Sequence, residues 1–264
     1  MKRRIVIRLA TAAGLLGLWA CSESTSPASL VDQTTLTTDV ASSSGDAVAV
    51  DVATMTGNET SASLASPAVA GAATNESGMA GKDSVVYVRS RTCFGATGTT
   101  VNCVPLSAVA KIVTHVSLFD IRSDTAENGA VFSGDVTRVA DDTLFRNFTG
   151  GTETSRTHDG VAAGSDTTSF VGPNVTRTYD EAGADSVEAV TWNLPRSTNQ
   201  YPASGAIVRH VNLHATFTSA SKSQTTDVRK RVEVDFNGTV AATLKIDGKT
   251  CTLNLQTRRV SNCQ

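Results

Sequence analysis

An all-β fold is what this sequence predicts: an antiparallel meander, either a sandwich or a strongly curved open sheet, following a disordered N-terminal linker. Three observations carry that expectation. From Ser84 onward, runs rich in Val, Thr and aromatic residues recur, mostly separated by Gly, Asp, Asn or Pro. No helical pattern of about 10–15 residues alternates with them, which argues against a parallel βαβ sheet. The C-terminal end can be read at the level of register, because Val240, Ala242, Leu244 and Ile246 alternate with Thr and Lys before Asp247-Gly248. A two-residue turn there pairs Leu244 with Cys251, Ala242 with Leu253 and Val240 with Leu255, so all the apolar side chains share one face.

Taken in order, the chain begins with Lys2, Arg3 and Arg4, then an apolar run from Leu9 to Leu18, then the small residue Ala20. These are the three parts of a secretory signal. Leu18-Trp19-Ala20-Cys21 resembles the lipobox of bacterial lipoproteins, with Trp19 departing from the usual small or branched residue. The resemblance covers residues 1–21 only. It implies cleavage after Ala20, so that 1–20 is a signal peptide, and acylation of Cys21. That anchor would make the membrane a partner, and by the sorting tendency of that family Ser22 after the cysteine, in place of Asp, implies the outer membrane. Arg3-Arg4 followed by Ile5-Val6-Ile7-Arg8 loosely resembles a twin-arginine signal, although a basic end beside an apolar run is ordinary for general secretion.

Residues 22–81 contain no Lys, no Arg and no aromatic residue, and carry seven acids. Such a stretch has little to bury against its ordering entropy, so 21–81 is expected to be a lipidated cysteine and an acidic Ser/Thr/Ala linker. Ala47 to Val52 is the exception, alternating like a short strand. The folded domain is then 82–264, with 19 basic and 18 acidic residues. That balance lacks the basic excess of a nucleic-acid binder.

Within the domain, strands are expected at Ser84–Arg91, Val109–Ile121, Ala130–Val139, Thr143–Thr149, Val175–Asp180, Ser186–Asn193 and Ile207–Thr218. A two-residue turn at Asn237-Gly238 would set Val232, Val234 and Phe236 against the wrong face of the next strand, so a three-residue connection or a bulge is expected. Cys93, Cys103, Cys251 and Cys263 in an exported chain suggest two disulfides. Nine residues separate the first two and eleven the last two. Each pair can therefore face across an odd-length hairpin loop, such as one centred on Thr97-Gly98-Thr99, and local pairing is favoured.

The candidates for chemistry are few. His210 and His214 share a strand face about 13 Å apart at ~3.3 Å per residue, too far for one metal. His115 sits in the most apolar strand and is expected in the core, which leaves His158-Asp159. Asp141-Asp142 are expected to shape a turn, and Gly160 to Asp166 only faintly resembles a calcium loop. No G-x-S-x-G elbow is present. Arg229-Lys230-Arg231 and Arg258-Arg259 are expected to guard strand edges. No catalytic residue, metal ligand or cofactor site is nominated.

The expected function is a non-catalytic binding or structural role in the envelope, with a protein, polysaccharide or lipid partner. The alternative is a carrier of lipid or another hydrophobe in a curved-sheet cavity, and a hydrolytic enzyme comes third. A large apolar concavity would favour the carrier, and converging Ser, His and acidic groups would favour the enzyme.

Overall fold

Alternation of apolar and polar residues from Ser84 onward resolves into strands that all join one sheet. The computed structural model describes residues 30–59, 84–125, 131–172 and 174–264. In chain order these form α1 (Gln33–Glu59), β1 (Ser84–Phe94), β2 (Thr100–Val101), β3 (Lys111–Thr125), β4 (Val131–Thr149), β5 (Thr152–Val171), β6 (Thr176–Asn193), β7 (Ser204–Thr218), β8 (Ser223–Asp235), β9 (Ala241–Ile246), β10 (Lys249–Asn254) and β11 (Arg259–Ser261). The sheet is open and antiparallel, in the order β11-β10-β9-β8-β7-β6-β5-β4-β3-β1-β2. It is a meander throughout, except that β2 folds back outside β1. One sheet replaces the two layers of the sandwich alternative.

The C-terminal hairpin has the register its pattern demands, with Leu244 opposite Cys251 and Ala242 opposite Leu253. Leu255 N–H donates to Val240 C=O at 2.9 Å and extends it. At Asn237-Gly238 the parity is also as expected, since Val234 faces Leu244 and Val232 faces Ile246. The connection is wider than three residues, however: the ladder stops at Asp235 and Thr243. Asn237 Oδ1 accepts from Thr239 N–H and Oγ1–H inside it.

Both disulfides are local, Cys93–Cys103 with Cα atoms 5.3 Å apart and Cys251–Cys263 at 4.0 Å. The second pair is directly opposed, because Thr250 and Gln264 exchange both backbone hydrogen bonds beside it. The first is not. Cys93 faces Val101 across a loop of residues 95–99, and Cys103 lies just beyond β2.

Several expectations are corrected. The ranges 130–139 and 143–149 are one strand, β4, and Asp141-Asp142 lie in its middle, not in a turn. The ranges 175–180 and 186–193 are likewise one strand, β6. β5 was not anticipated, and Gly160 to Asp166 belongs to it, not to a loop. Residues 33–59 of the expected linker form α1, and Ala47–Val52 is helical. The remaining linker residues that are not described, with Cys21 and the signal segment, lie outside the described residues.

Helix α1 starts at Asp32, whose carboxylate accepts from Thr34 N–H at 3.0 Å and Thr35 N–H at 3.3 Å, capping otherwise unpaired donors. Leu36, Val40, Val48, Val52 and Met55 then recur at helical spacing and are buried against the inner face of β6–β10. That face contributes Tyr179, Leu213, Phe217, Leu244, Ile246 and Leu253, among others. A second, smaller apolar cluster of Cys93, Val109, Ile112 and Leu144 lies at the β1–β3–β4 corner.

Candidate functional site

Between the two apolar clusters the inner face is charged. Asp51 of α1 is buried, and its carboxylate accepts from Arg138 Nε at 2.5 Å and from Arg138 Nη2. The same guanidinium reaches Asp185 on β6. Arg209 on β7 contacts Asp185 at 3.1 Å and donates to Glu181 at 2.5 Å. Ser43 Oγ of α1 donates to the other Glu181 oxygen at 2.7 Å. Gly183 makes room for this, since a Cβ there would lie 2.5 Å from the Arg209 guanidinium.

Two guanidinium groups thus face three carboxylates in a site closed to solvent. Burial drives the Asp51 carboxyl above its ordinary value, and neighbouring Asp185 adds to this against the pull of Arg138 and Arg209. For the arginines burial acts downward, but the acids around them win and hold both above their ordinary value.

Further polar ties run along the helix. Tyr179 O–H donates to Asp39 Oδ2, and Arg177 lies 3.2 Å from the same oxygen. Burial raises the Asp39 carboxyl, outweighing these two partners. Burial and the Asp39 carboxylate together raise the Tyr179 phenol. Arg258 lies 3.6 Å from Asp46, and Arg196 Nη2 donates to Thr56 at 3.2 Å. Cavities beside this interface, at Asp39–Tyr179 and at Asp46–Arg138, are about 10 Å³ each. Neither is larger than about one water molecule.

Nearer the corner, His158 is fully buried with Nδ1 2.9 Å from Asp142 and its ring edge-on to Trp192 at 5.2 Å. Arg146 and Arg156 converge on Glu153 at 2.6–2.9 Å. Burial opposes ionisation there, but the two arginines hold the Glu153 carboxyl down to about 2. Arg146 also donates to the carbonyls of Leu106 and Val109, tying the corner loop to β4.

On the outer face the register of β6, β7 and β8 aligns three rows. These are Asp180–His214–Asp227, Ala182–Asn212–Arg229 and Ala184–His210–Arg231. A shallow depression of about 800 Å³ opens over the first two, lined by Asp180, Ala182, Asn212, His214, Asp227 and Arg229. His214 Nδ1 lies 2.7 Å from Asp227, and Thr167 O–H donates to Asp180 at 3.3 Å. β9 pairs with β8 only from Val232 onward, so Arg229–Arg231 lies on an open edge among the described residues. Lys230 turns inward to Asp247.

His210 and His214 therefore share the solvent face, as their spacing predicts. His115 does not lie in the core: it is exposed on the outer face with Nδ1 2.8 Å from Asp141, because even positions of β3 point inward and odd ones outward. Within β4, Asp141 and Asp142 point to opposite faces, each to a different histidine. Asp159 Oδ1 accepts from Ala189 N–H at 2.7 Å and supports a bulge in β6. Sequence reasoning missed the charged cluster entirely, since the carboxylate and guanidinium partners that meet in it are 24 to 87 residues apart along the chain. Among the described residues no group of three or more His, Cys, Asp or Glu could hold a metal ion, and no helix is long and apolar enough to cross a membrane. No family model, curated protein or solved structure matches the chain.

Proposed function

We propose that this chain is an envelope lipoprotein, anchored through Cys21 at the outer membrane, whose β domain acts as a non-catalytic binding or structural module. The observation that carries the reading is the occupation of the inner face of the sheet by the protein's own helix. The inner face of an open sheet is where a carrier would place its ligand, and here α1 and its ion pairs cover that face over β6–β10 and at Arg138. The two cavities beside α1 are each too small for an acyl chain. The polar groups gathered beneath the helix are engaged with one another, which is the work of a fastener. Two local disulfides suit an oxidising compartment.

The test is the anchor. Stable attachment takes more than one acyl chain, at roughly 0.8 kcal/mol per buried CH₂. Cys21→Ser should abolish maturation and the incorporation of labelled fatty acid, leaving an unlipidated precursor. Continued labelling of the variant would overturn the assignment.

A further inference from the structure

We propose that the depression over β6, β7 and β8 binds an uncharged, hydroxyl-rich polymer, a neutral glycan chain. The proposal deepens the reading of the domain as an envelope binding module and rests on it. Several polar groups on the outer face are satisfied by neighbours: His115 by Asp141, Asn147 by Ser155 and Thr157, Lys245 by Glu233 and Asp235. The depression differs. Asn212 and Arg229 face each other across β7 and β8 at its centre, and neither side chain has a partner among the described residues.

The groups around them are held ready. Thr167 orients Asp180, and Asp227 fixes the His214 ring through Nδ1. Opposed residues on neighbouring strands stand about 5 Å apart and successive rows about 7 Å, so donors and acceptors form a lattice on the scale of a sugar ring. Ala182 and Ala184 leave a low apolar floor between them. Preset side chains lose less entropy on binding.

Charge selects among polar ligands. Asp180 and Asp227 on one row oppose a polyanion, while Arg229 on the next opposes a polycation. A hydroxyl suits both, donating to the carboxylates and accepting from Arg229 and Asn212. No Phe, Tyr or Trp lines the depression, so each sugar gains little and a repeating polymer gains through multiple engagement.

The test uses the full chain carrying Cys21→Ser, with chitohexaose and cellohexaose as neutral probes. Phosphatidylglycerol vesicles and polyglutamate serve as anionic ones. At least one oligosaccharide should shift the amide resonances of residues 180–184, 210–214 and 227–231. Asn212→Ala and Arg229→Ala should each weaken binding about tenfold, equivalent to about 1.4 kcal/mol. Both sites are exposed, so thermal midpoints should not move, and His115→Ala on the same face should bind normally. Absence of shifts with both oligosaccharides, equal loss in His115→Ala, or binding confined to the anionic probes overturns the site. Persistent acylation of Cys21→Ser would sink the anchor reading alone, whereas unbound oligosaccharides would sink the glycan site alone.

Discussion

Asp51 decides whether α1 is held by charge or merely tolerated. It adds a third carboxylate to a buried site with two guanidinium groups. Removing a partner should therefore cost more than the bridge itself is worth. Arg138→Ala leaves Asp51 and Asp185 facing Arg209 alone and should destabilise the fold by roughly 3–5 kcal/mol, while Arg138→Met combined with Asp51→Leu should lose far less. Urea midpoints compare them directly. The pH dependence has a definite sign. Asp39 and Asp51 both bind a proton more tightly folded than unfolded. Their contribution is full below the unfolded value and is lost as pH rises through the raised folded one. Glu153 runs the other way: its contribution is present above the ordinary value of 4.5 and is lost as pH falls toward about 2. Amide exchange should show α1 opening more readily as pH rises through the folded values of its acids, and the β4–β5 corner opening more readily as pH falls. Asp51→Asn together with Asp39→Asn should flatten the first trend without touching the second.

At the scale of elements, α1 shows why a helix can hide in plain sight. Its buried positions recur every three or four residues, but Thr37, Ser44 and Asp51 interrupt the apolar stripe. Ser43-Ser44-Gly45 at its centre are poor helix formers. The partners that make such a stripe worth burying, Arg138 and Glu181, lie 87 and 138 residues further on. Composition reads it as linker because tertiary contacts, not propensity, hold it. The Asp247-Gly248 hairpin was legible for the opposite reason, since turn and partner strands lie within one short stretch. Gly45 shows how closely helix and sheet meet: a Cβ would lie 2.6 Å from Val260 Cγ2 and 3.1 Å from Leu253 Cδ1. Ala in place of Gly gains about 1 kcal/mol of helix propensity, but overpacking costs about 1–3 kcal/mol. Gly45→Ala should therefore lower the thermal midpoint, and adding Val260→Ala should restore it. Val260 belongs to β11, which the Cys251–Cys263 bridge closes onto β10. Removing that bridge by Cys251→Ala with Cys263→Ala should increase amide exchange in α1 as well as in β11, whereas loss of Cys93–Cys103 should leave α1 unchanged.

Across the whole molecule, alternation and hairpin parity exposed the C-terminal strands but not the middle of the sheet. β5 was invisible because its inner positions from 160 to 168 are Gly160, Ala162, Gly164, Asp166 and Thr168, with no apolar run to mark it. β4 and β6 were each split in two where Asp141-Asp142 and Glu181–Asp185 interrupt them. Those residues face the charged cluster, the buried histidine pair and the polar outer face, so the segments that carry the candidate chemistry are the ones whose strand pattern is weakest. The outer-face rows were partly legible, through the shared face of His210 and His214. A consequence follows for the role of the N-terminal segment. Read as a linker, residues 22–81 could be deleted at little cost. The core formed by Leu36, Val40, Val48, Val52 and Met55 argues otherwise, because each such side chain contributes about 1.5–3 kcal/mol when fully buried. Their removal would also uncover Leu213, Phe217, Leu244 and Leu253 on the sheet. Deleting 22–81 should therefore give a protein that binds apolar dyes, melts early and aggregates. A peptide of residues 30–59 supplied in trans should suppress the dye binding, and the same peptide with Asp39→Lys and Asp51→Lys should not, since it would set cations against Arg177 and Arg138. A deletion variant that keeps its stability to within about 2 kcal/mol, the ordinary range of single surface changes, would show that the sheet stands without its helix.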